Sequence, residues 1–349
     1  MKEASELLYD CWYFAGLVTD IPKSGLIARE IAGEPMTLGH GEGSDIFALG
    51  NVCPHRAALL SEGRITNGAV ECPYHGWQFS IDDGGCTYIP SLCEHQSMDS
   101  TKIGVRRFPV KTDGPLMWVY ISKDAKDTSD PTLAPPDIPF LTDKAVMDDK
   151  VVLNCHVDHA VIGLMDPAHG PFVHKQWWWR SQKSIHEKTK DFEPRRHGFA
   201  MVSHPPSKNS FAYKILGGTP QTEIRFQLPG IRTEHIKIGT KSVMSFTAVT
   251  PINETQTEIR QIFFTDKMRF KLLAPLLKPF AKAFLRQDSD MVDIQQKGLS
   301  YNPRLMLIDD ADQQAKWYYQ LKRAWVAQSD VKEGGFKNPV KAKTLYWRS

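Results

Sequence analysis

Cys53-Pro54-His55-Arg56 and Cys72-Pro73-Tyr74-His75-Gly76-Trp77 decide how this chain is read, with sixteen residues between His55 and Cys72. Each arm offers one thiol and one imidazole, separated by one residue in the first and two in the second. Such spacing makes each arm a tight loop, and Pro54 and Pro73 stiffen both by fixing φ. Two thiolates and two imidazoles suit a [2Fe–2S] centre in which two Cys hold one iron and two His the other. Neutral imidazole in place of thiolate leaves such a cluster less negative and raises its potential. The rival is a zinc site. Zinc fingers pair Cys with Cys and His with His, as C-x2–4-C and H-x3–5-H, whereas here each arm is mixed.

Composition sets outer bounds. A chain of 349 residues with 41% hydrophobic content holds two domains of ordinary size, each with a real core. Basic and acidic residues number 43 and 40, a net +3 that gives no reason to expect a nucleic-acid partner. Of six cysteines, Cys53 and Cys72 sit in the arms; Cys11, Cys86, Cys93 and Cys155 form no regular framework. Few Cys in a long chain point to a reducing, cytoplasmic setting. The start, Met-Lys-Glu-Ala-Ser-Glu-Leu-Leu, has no apolar run that reads as a signal peptide. No uncharged apolar window reaches the roughly 18 residues of a spanning helix, so no membrane partner is expected.

Taken in order, the chain opens with an apolar anchor, Trp12-Tyr13-Phe14-Ala15-Gly16. Short apolar runs from Met36 to Val52 alternate with turns such as His40–Ser44 and read as antiparallel strands. Asn67-Gly68 is a strong hairpin signal and folds one arm back toward the other. Strand-like Trp77–Ile81, the turn Asp82–Gly85 and a buried strand Leu116–Ile121 complete a small all-β module. Residues 122–139 turn polar and then proline-rich, which marks a connection with its boundary near 125–135. Residues 1–125 are taken as the first domain and 126–349 as the second.

The second domain carries Asp166-Pro-Ala-His169-Gly-Pro-Phe-Val-His174. The run His159–Met165 has helical spacing, which puts Asp166 and His169 on one face. Gly170-Pro171 then ends the helix, so His174 returns on a loop. Two His with a carboxylate make a facial triad for one iron, with positions left open for O2. Taken alone, the same residues also suit an ordinary surface or core. Beyond them, Phe211–Leu216, Glu223–Leu228, His235–Ile238, Ser242–Thr250 and Thr257–Phe264 read as an antiparallel sheet. Helical pattern follows Asp266. Phe270, Leu272, Leu273, Leu276, Leu277, Phe280 and Phe284 interleave with Lys267, Lys271, Lys278 and Lys282. A packed helix or a flap is expected there ahead of membrane contact, with Pro275 and Pro279 bending it. A last helix over about 309–328 is expected to start at Asp309-Asp310 and bury Trp317, Tyr318, Leu321 and Trp325. The tail from Val331 reads as loosely packed. Trp177-Trp178-Trp179-Arg180 suits a substrate pocket, a subunit interface or plain core.

Together the two constellations resemble the Rieske non-haem iron oxygenases, terminal oxygenase component, over nearly the whole chain. In that family an Asp precedes the first ligand His by three residues and the second His follows by five, as in Asp166, His169 and His174. The family's Asp is not a ligand; it bridges a neighbouring subunit's cluster His to a ligand His. Many members have Asn three residues before it, where this chain has Gly163. Arg286–Gln296 resembles the family's acidic helix and puts Asp288 in the place of the carboxylate ligand. Asp290 and Asp293 compete for the role, although Asp290 points about 200° away from Asp288 on a helix.

The resemblance implies an α+β chain: an N-terminal all-β [2Fe–2S] domain and a C-terminal helix-grip domain with an antiparallel sheet. It implies a cluster on Cys53, His55, Cys72 and His75, and Fe(II) on His169, His174 and Asp288. It also implies a head-to-tail homotrimer fed by a ferredoxin or an NAD(P)H-dependent reductase. Chains of this type are similar to vanillate and dicamba O-demethylases. The expected activity is hydroxylation or oxidative demethylation of a small aromatic compound with O2 and two electrons. The alternatives are arene cis-dihydroxylation, electron transfer without catalysis, and a degenerate binding protein.

Overall fold

The computed structural model describes residues 6–41, 45–93, 95–96, 98–127, 129–174, 185–205, 219–328 and 335–349. It divides into two compact units: Tyr9–Pro135, and a second that takes residues up to Leu8 with those from Pro136 onward. The division falls inside the proline-rich connection. Among the described residues no helix is long and apolar enough to cross a membrane.

The first unit is built from three small antiparallel sheets. Cys11–Leu17 and Leu116–Ile121 pair with each other and are buried along their whole lengths. That explains why they read as unbroken apolar runs rather than alternating ones. Trp12 stays buried because its indole N–H donates to the Leu133 carbonyl at 2.7 Å. Leu26–Ile31, Glu34–His40, Ile46–Gly50 and Arg107–Phe108 form the second sheet. The third joins Arg64–Thr66, Ala69–Glu71, Gln78–Ser80 and Cys86–Tyr88. Asn67 (φ 47°) and Gly68 (φ 72°) make its first turn, the left-handed pair that a tight two-residue hairpin demands. The expected turn at His40–Ser44 falls partly outside the described residues.

The second unit is organised on one eight-stranded antiparallel sheet. Its order is Met147–Leu153, Thr257–Thr265, Lys241–Pro251, Ile231–Ile238, Gln221–Gln227, Gly198–His204, Glu187–Arg195 and Lys343–Arg348. The expected strand Phe211–Leu216 lies outside the described residues. Lys343–Arg348 corrects the reading of a loose tail. It pairs along Glu187–Phe192 because Leu345 and Trp347, two residues apart, both face the core.

Among the described residues four helices accompany the sheet: α1 (Val157–Met165), α2 (Gly170–Val173), α3 (Met268–Leu299) and α4 (Gln313–Ala327). The sheet grips α4, whose Trp317 meets Phe192 and Phe199 and whose Tyr318 meets Phe226. Trp317, Tyr318, Leu321 and Trp325 are all buried, as the stripe predicted. The start of α4 is later than expected, with Asp312 at its N-cap. Asp309 and Asp310 are engaged elsewhere, by Lys316 at 2.5 Å and Lys343 at 2.7 Å. Pro275 and Pro279 do not divide α3, which runs through both. Pro279 is exposed, so water can replace the hydrogen bond it removes.

A buried charge pair fastens α1 to α4. Lys322 Nζ donates to both oxygens of Asp158, at 2.7 and 2.8 Å, and Tyr318 Oη donates to Oδ1 at 2.6 Å. Burial pulls the Lys322 amine below its ordinary range, and Asp158 opposes that pull. Lys322→Ala leaves the carboxylate buried without its cation and should cost about 3–5 kcal/mol in urea unfolding. Replacing both partners, as Asp158→Leu/Lys322→Met, should recover most of that loss. Gly163 lies inside α1, and a Cβ there meets nothing within 4 Å. Gly163→Ala should therefore stabilise the chain by about 0.5–1 kcal/mol in the same assay.

Candidate functional site

The two Cys-His arms share one backbone frame. In the first, Cys53 N–H donates to Ala58 O and Ala57 N–H to Cys53 O, both at 2.9 Å. In the second, Cys72 N–H donates to Trp77 O at 2.8 Å and Gly76 N–H to Cys72 O at 3.1 Å. Each loop is thus closed by the fourth and fifth residues after its Cys. The fourth is left-handed in both, Ala57 at φ 57° and Gly76 at φ 71°. Both Cys are buried among Leu49, Leu60, Val70 and Phe79, and the two thiols are hydrogen-bonded neighbours. Burial pushes the Cys53 thiol up, and Cys72 beside it adds to the shift. The His55 and His75 rings lie 4.5 Å apart, and His55 stacks on Trp77 at 4.6 Å. Burial lowers the His75 pKa, with His55 and Arg56 adding to it.

These four residues suit a binuclear cluster better than a single ion. The Cys pair and the His pair each close up, yet no three of the four donors lie within 4.8 Å of one another. A tetrahedral zinc ion with bonds of about 2.0–2.3 Å needs all four closer than that. The buried Trp77 Nε1 has no hydrogen-bond partner among the described residues, an orphan donor beside a ligand ring. Sulfide-rich clusters are acceptors that such donors serve.

Downstream, the local structure corrects the expected helix. α1 ends at Met165, and Asp166 is its extended C-cap (ψ 116°), so Asp166 and His169 do not share a helix face. Gly170-Pro171 begins the one-turn helix α2 rather than ending α1. Proline is tolerated in a first turn because the N–H it lacks has no partner there. His169 and His174 are the caps at the two ends of α2, which brings both rings to one side.

His169 Nε2 and His174 Nε2 are 3.3 Å apart, and Asp288 Oδ1 on α3 lies 3.8 and 3.5 Å from them. This is the one group of His, Cys, Asp or Glu among the described residues arranged to hold a metal ion. Asp290 and Asp293, the competing carboxylates, are exposed on other faces of α3. The far ring nitrogens are occupied. His169 Nδ1 donates to the Asp166 carbonyl at 2.8 Å, and His174 Nδ1 to Gln287 Oε1 at 3.2 Å. Acceptors at both Nδ1 atoms turn both Nε2 lone pairs toward Asp288 Oδ1. Three acceptors then converge with no proton among them, an arrangement that a cation relieves. Burial raises the Asp288 pKa to about 6, and His169 opposes the shift. Asp166 itself turns aside: Ala168 N–H donates to its Oδ1 at 2.7 Å, and Oδ2 is 3.7 Å from His169 Nδ1.

Two family models match the chain. Residues 11–109 match the Rieske [2Fe-2S] domain, and residues 153–328, half of the chain, match the vanillate O-demethylase oxygenase C-terminal domain. The chain belongs to the Rieske oxygenases of the vanillate O-demethylase type. Both iron centres of that family, the [2Fe–2S] cluster and the mononuclear iron, are therefore its cofactors. This Rieske oxygenase is 32% identical over 176 residues to chlorophyllide a oxygenase of Chlamydomonas reinhardtii, covering 49% of the chain and 25% of that protein. It is 32% identical over 173 residues to the oxygenase component of dicamba O-demethylase from Stenotrophomonas maltophilia, covering 48% of the chain and 47% of that protein. The chain spans between a quarter and just over half of the length of the curated relatives it matches. The crystal structure of dicamba monooxygenase bound to dicamba shares its fold, with TM-score 0.72 and 21% identity over 91% of this chain and 98% of that one.

Two residues beside the triad escaped the sequence reading. Phe284 stacks on His174 at 3.8 Å, and Gln287 holds its Nδ1. Both precede Asp288 on α3, four residues and one residue before it, and this spacing was the available signal. The run Trp177–Trp179 lies outside the described residues. Gln287→Ala should weaken metal binding about 10–100-fold, measured by chelator competition. Gln287→Glu, which keeps the acceptor, should stay near the parent.

Proposed function

We propose that this chain is the terminal oxygenase of a monooxygenase or demethylase system acting on a small aromatic ether or N-alkyl compound. The convergence of His169 Nε2, His174 Nε2 and Asp288 Oδ1 carries the reading. Electron transfer alone needs no second metal triad. When bound, the two iron centres supply one-electron transfer and reductive activation of O2.

The chain's own residues set the conditions. Cys53, Cys72, His55 and His75 would hold the cluster. His55 is the exposed member and offers an edge to a ferredoxin or reductase donor. His169, His174 and Asp288 would hold the mononuclear iron, which as a three-ligand site would supply room for O2 activation. Asp166, with one oxygen fixed by Ala168, presents the other as an acceptor for a cluster His of a neighbouring subunit in a homotrimer. Phe284 packs an apolar ring against the ligand set and keeps water from that side. The overall change balances as R–O–CH3, O2, two electrons and two protons giving R–OH, formaldehyde and water. Hydroxylation of the methyl carbon yields a hemiacetal that collapses to those products. The names of the vanillate-type domain and of dicamba O-demethylase support demethylation ahead of cis-dihydroxylation. A cytoplasmic setting accords with the thiol-bearing arms.

The reconstituted protein should hold about three irons per chain, two in the cluster and one apart. His169→Ala should hold about two and keep the reduced-cluster electron paramagnetic resonance signal, with formaldehyde release abolished. Cys72→Ala should lose that signal. The assay supplies NADH and a surrogate reductase to a panel of aromatic ethers, N-methyl compounds and arenes. Two irons per chain in the parent, with no substrate consumed, would leave an electron carrier instead.

A further inference from the structure

The first half of α3 has a charge and surface pattern that the oxygenase reading does not use. From Lys267 to Gln287 there are six basic residues and no acidic one. Six exceeds the chain's whole net charge of +3, so the remainder is net acidic. Large apolar side chains stand exposed on the same segment: Met268 at 65%, Leu272 at 72%, Leu276 at 68% and Phe280 at 46%. They are spaced by four, so they form one ridge that drifts about 40° per step. Lys278, Lys282 and Arg286 are exposed as well and lie to one side of the ridge, about 140°, 100° and 60° around the axis from its mean direction. Single exposed hydrophobics are ordinary, but a row of them edged by cations is not.

We propose that this half of α3 docks on an anionic lipid bilayer, lying in its interface without crossing it. An apolar ridge enters the acyl boundary while flanking lysines meet anionic headgroups. A second copy of this chain is a poorer occupant, because a two-fold pairing would set one basic strip against another. An acidic electron donor would satisfy the charge but gives no reason for the exposed leucines. The continuous helix through Pro275 and Pro279 removes the bend that had counted against an interfacial helix. The proposal stands apart from the oxygenase reading, since it needs no metal and no turnover.

Flotation of the full-length holoprotein with defined vesicles tests it. The protein should rise with phosphatidylcholine–phosphatidylglycerol vesicles, stay behind with phosphatidylcholine alone, and be released by high salt. Leu272→Ser/Leu276→Ser and Lys278→Glu/Lys282→Glu should each lower the bound fraction at least about tenfold, with melting temperature and cluster spectrum unchanged. Failure of the parent to float would overturn the proposal, as would flotation indifferent to both variants. A change of oligomeric state in Leu272→Ser/Leu276→Ser, read by light scattering, would reassign the ridge to a subunit contact. Loss of donor-driven cluster reduction in Lys278→Glu/Lys282→Glu, with no vesicle binding by the parent, would reassign it to the electron donor.

Discussion

Two hydrogen bonds at the backs of the histidines govern the metal centre. With the Asp166 carbonyl accepting from His169 Nδ1 and Gln287 Oε1 accepting from His174 Nδ1, each ring has one tautomer and turns its Nε2 toward Asp288. Without them the rings could rotate or exchange protons, and the Nε2 atoms would not hold station 3.3 Å apart. The surrounding fold secures those two acceptors. Asp166 is placed by the end of α1, and α1 is bolted to α4 by the buried Asp158–Lys322 pair. Gln287 is placed by α3, which also brings Asp288 and Phe284. A helix cap and a single helix face thus converge on a few ångströms, and the buried ion pair anchors the helix that carries the cap.

The cluster module solves a similar problem by repetition. Two loops with the same pair of closing hydrogen bonds each bury a Cys and project a His, at the second position after the Cys in one and the third in the other. The left-handed residue differs, Ala57 against Gly76. Glycine adopts that conformation without penalty, so the second loop is the less strained of the two.

Much of this was legible in the residues. Mixed Cys-His arms, the Asn67-Gly68 turn and the unbroken run Leu116–Ile121 each carry a local signal with one physical reading. The donors His169 and His174 were legible for the same reason. What was misread depended on longer-range competition. Local spacing carried α1 past Asp166, whereas Gly170-Pro171 was free to start a new turn. Asp309-Asp310 looked like a cap, but Lys316 and Lys343 compete for those carboxylates. Lys343–Arg348 became a strand only because the exposed sheet edge at Glu187–Phe192 was available to it. Gln287 could be noticed next to Asp288, but its role needed the ring of His174, more than a hundred residues earlier, to arrive beside it.

One continuous helix joins the exposed ridge at Met268 to Asp288. Twenty residues of helix span about 30 Å. Over that length a tilt of about two degrees swings the far end by about one ångström. Reactive geometries are spoiled by displacements of that size. α3 is therefore a lever, and whatever leans on its solvent-facing end has mechanical access to the His169–His174–Asp288 triad.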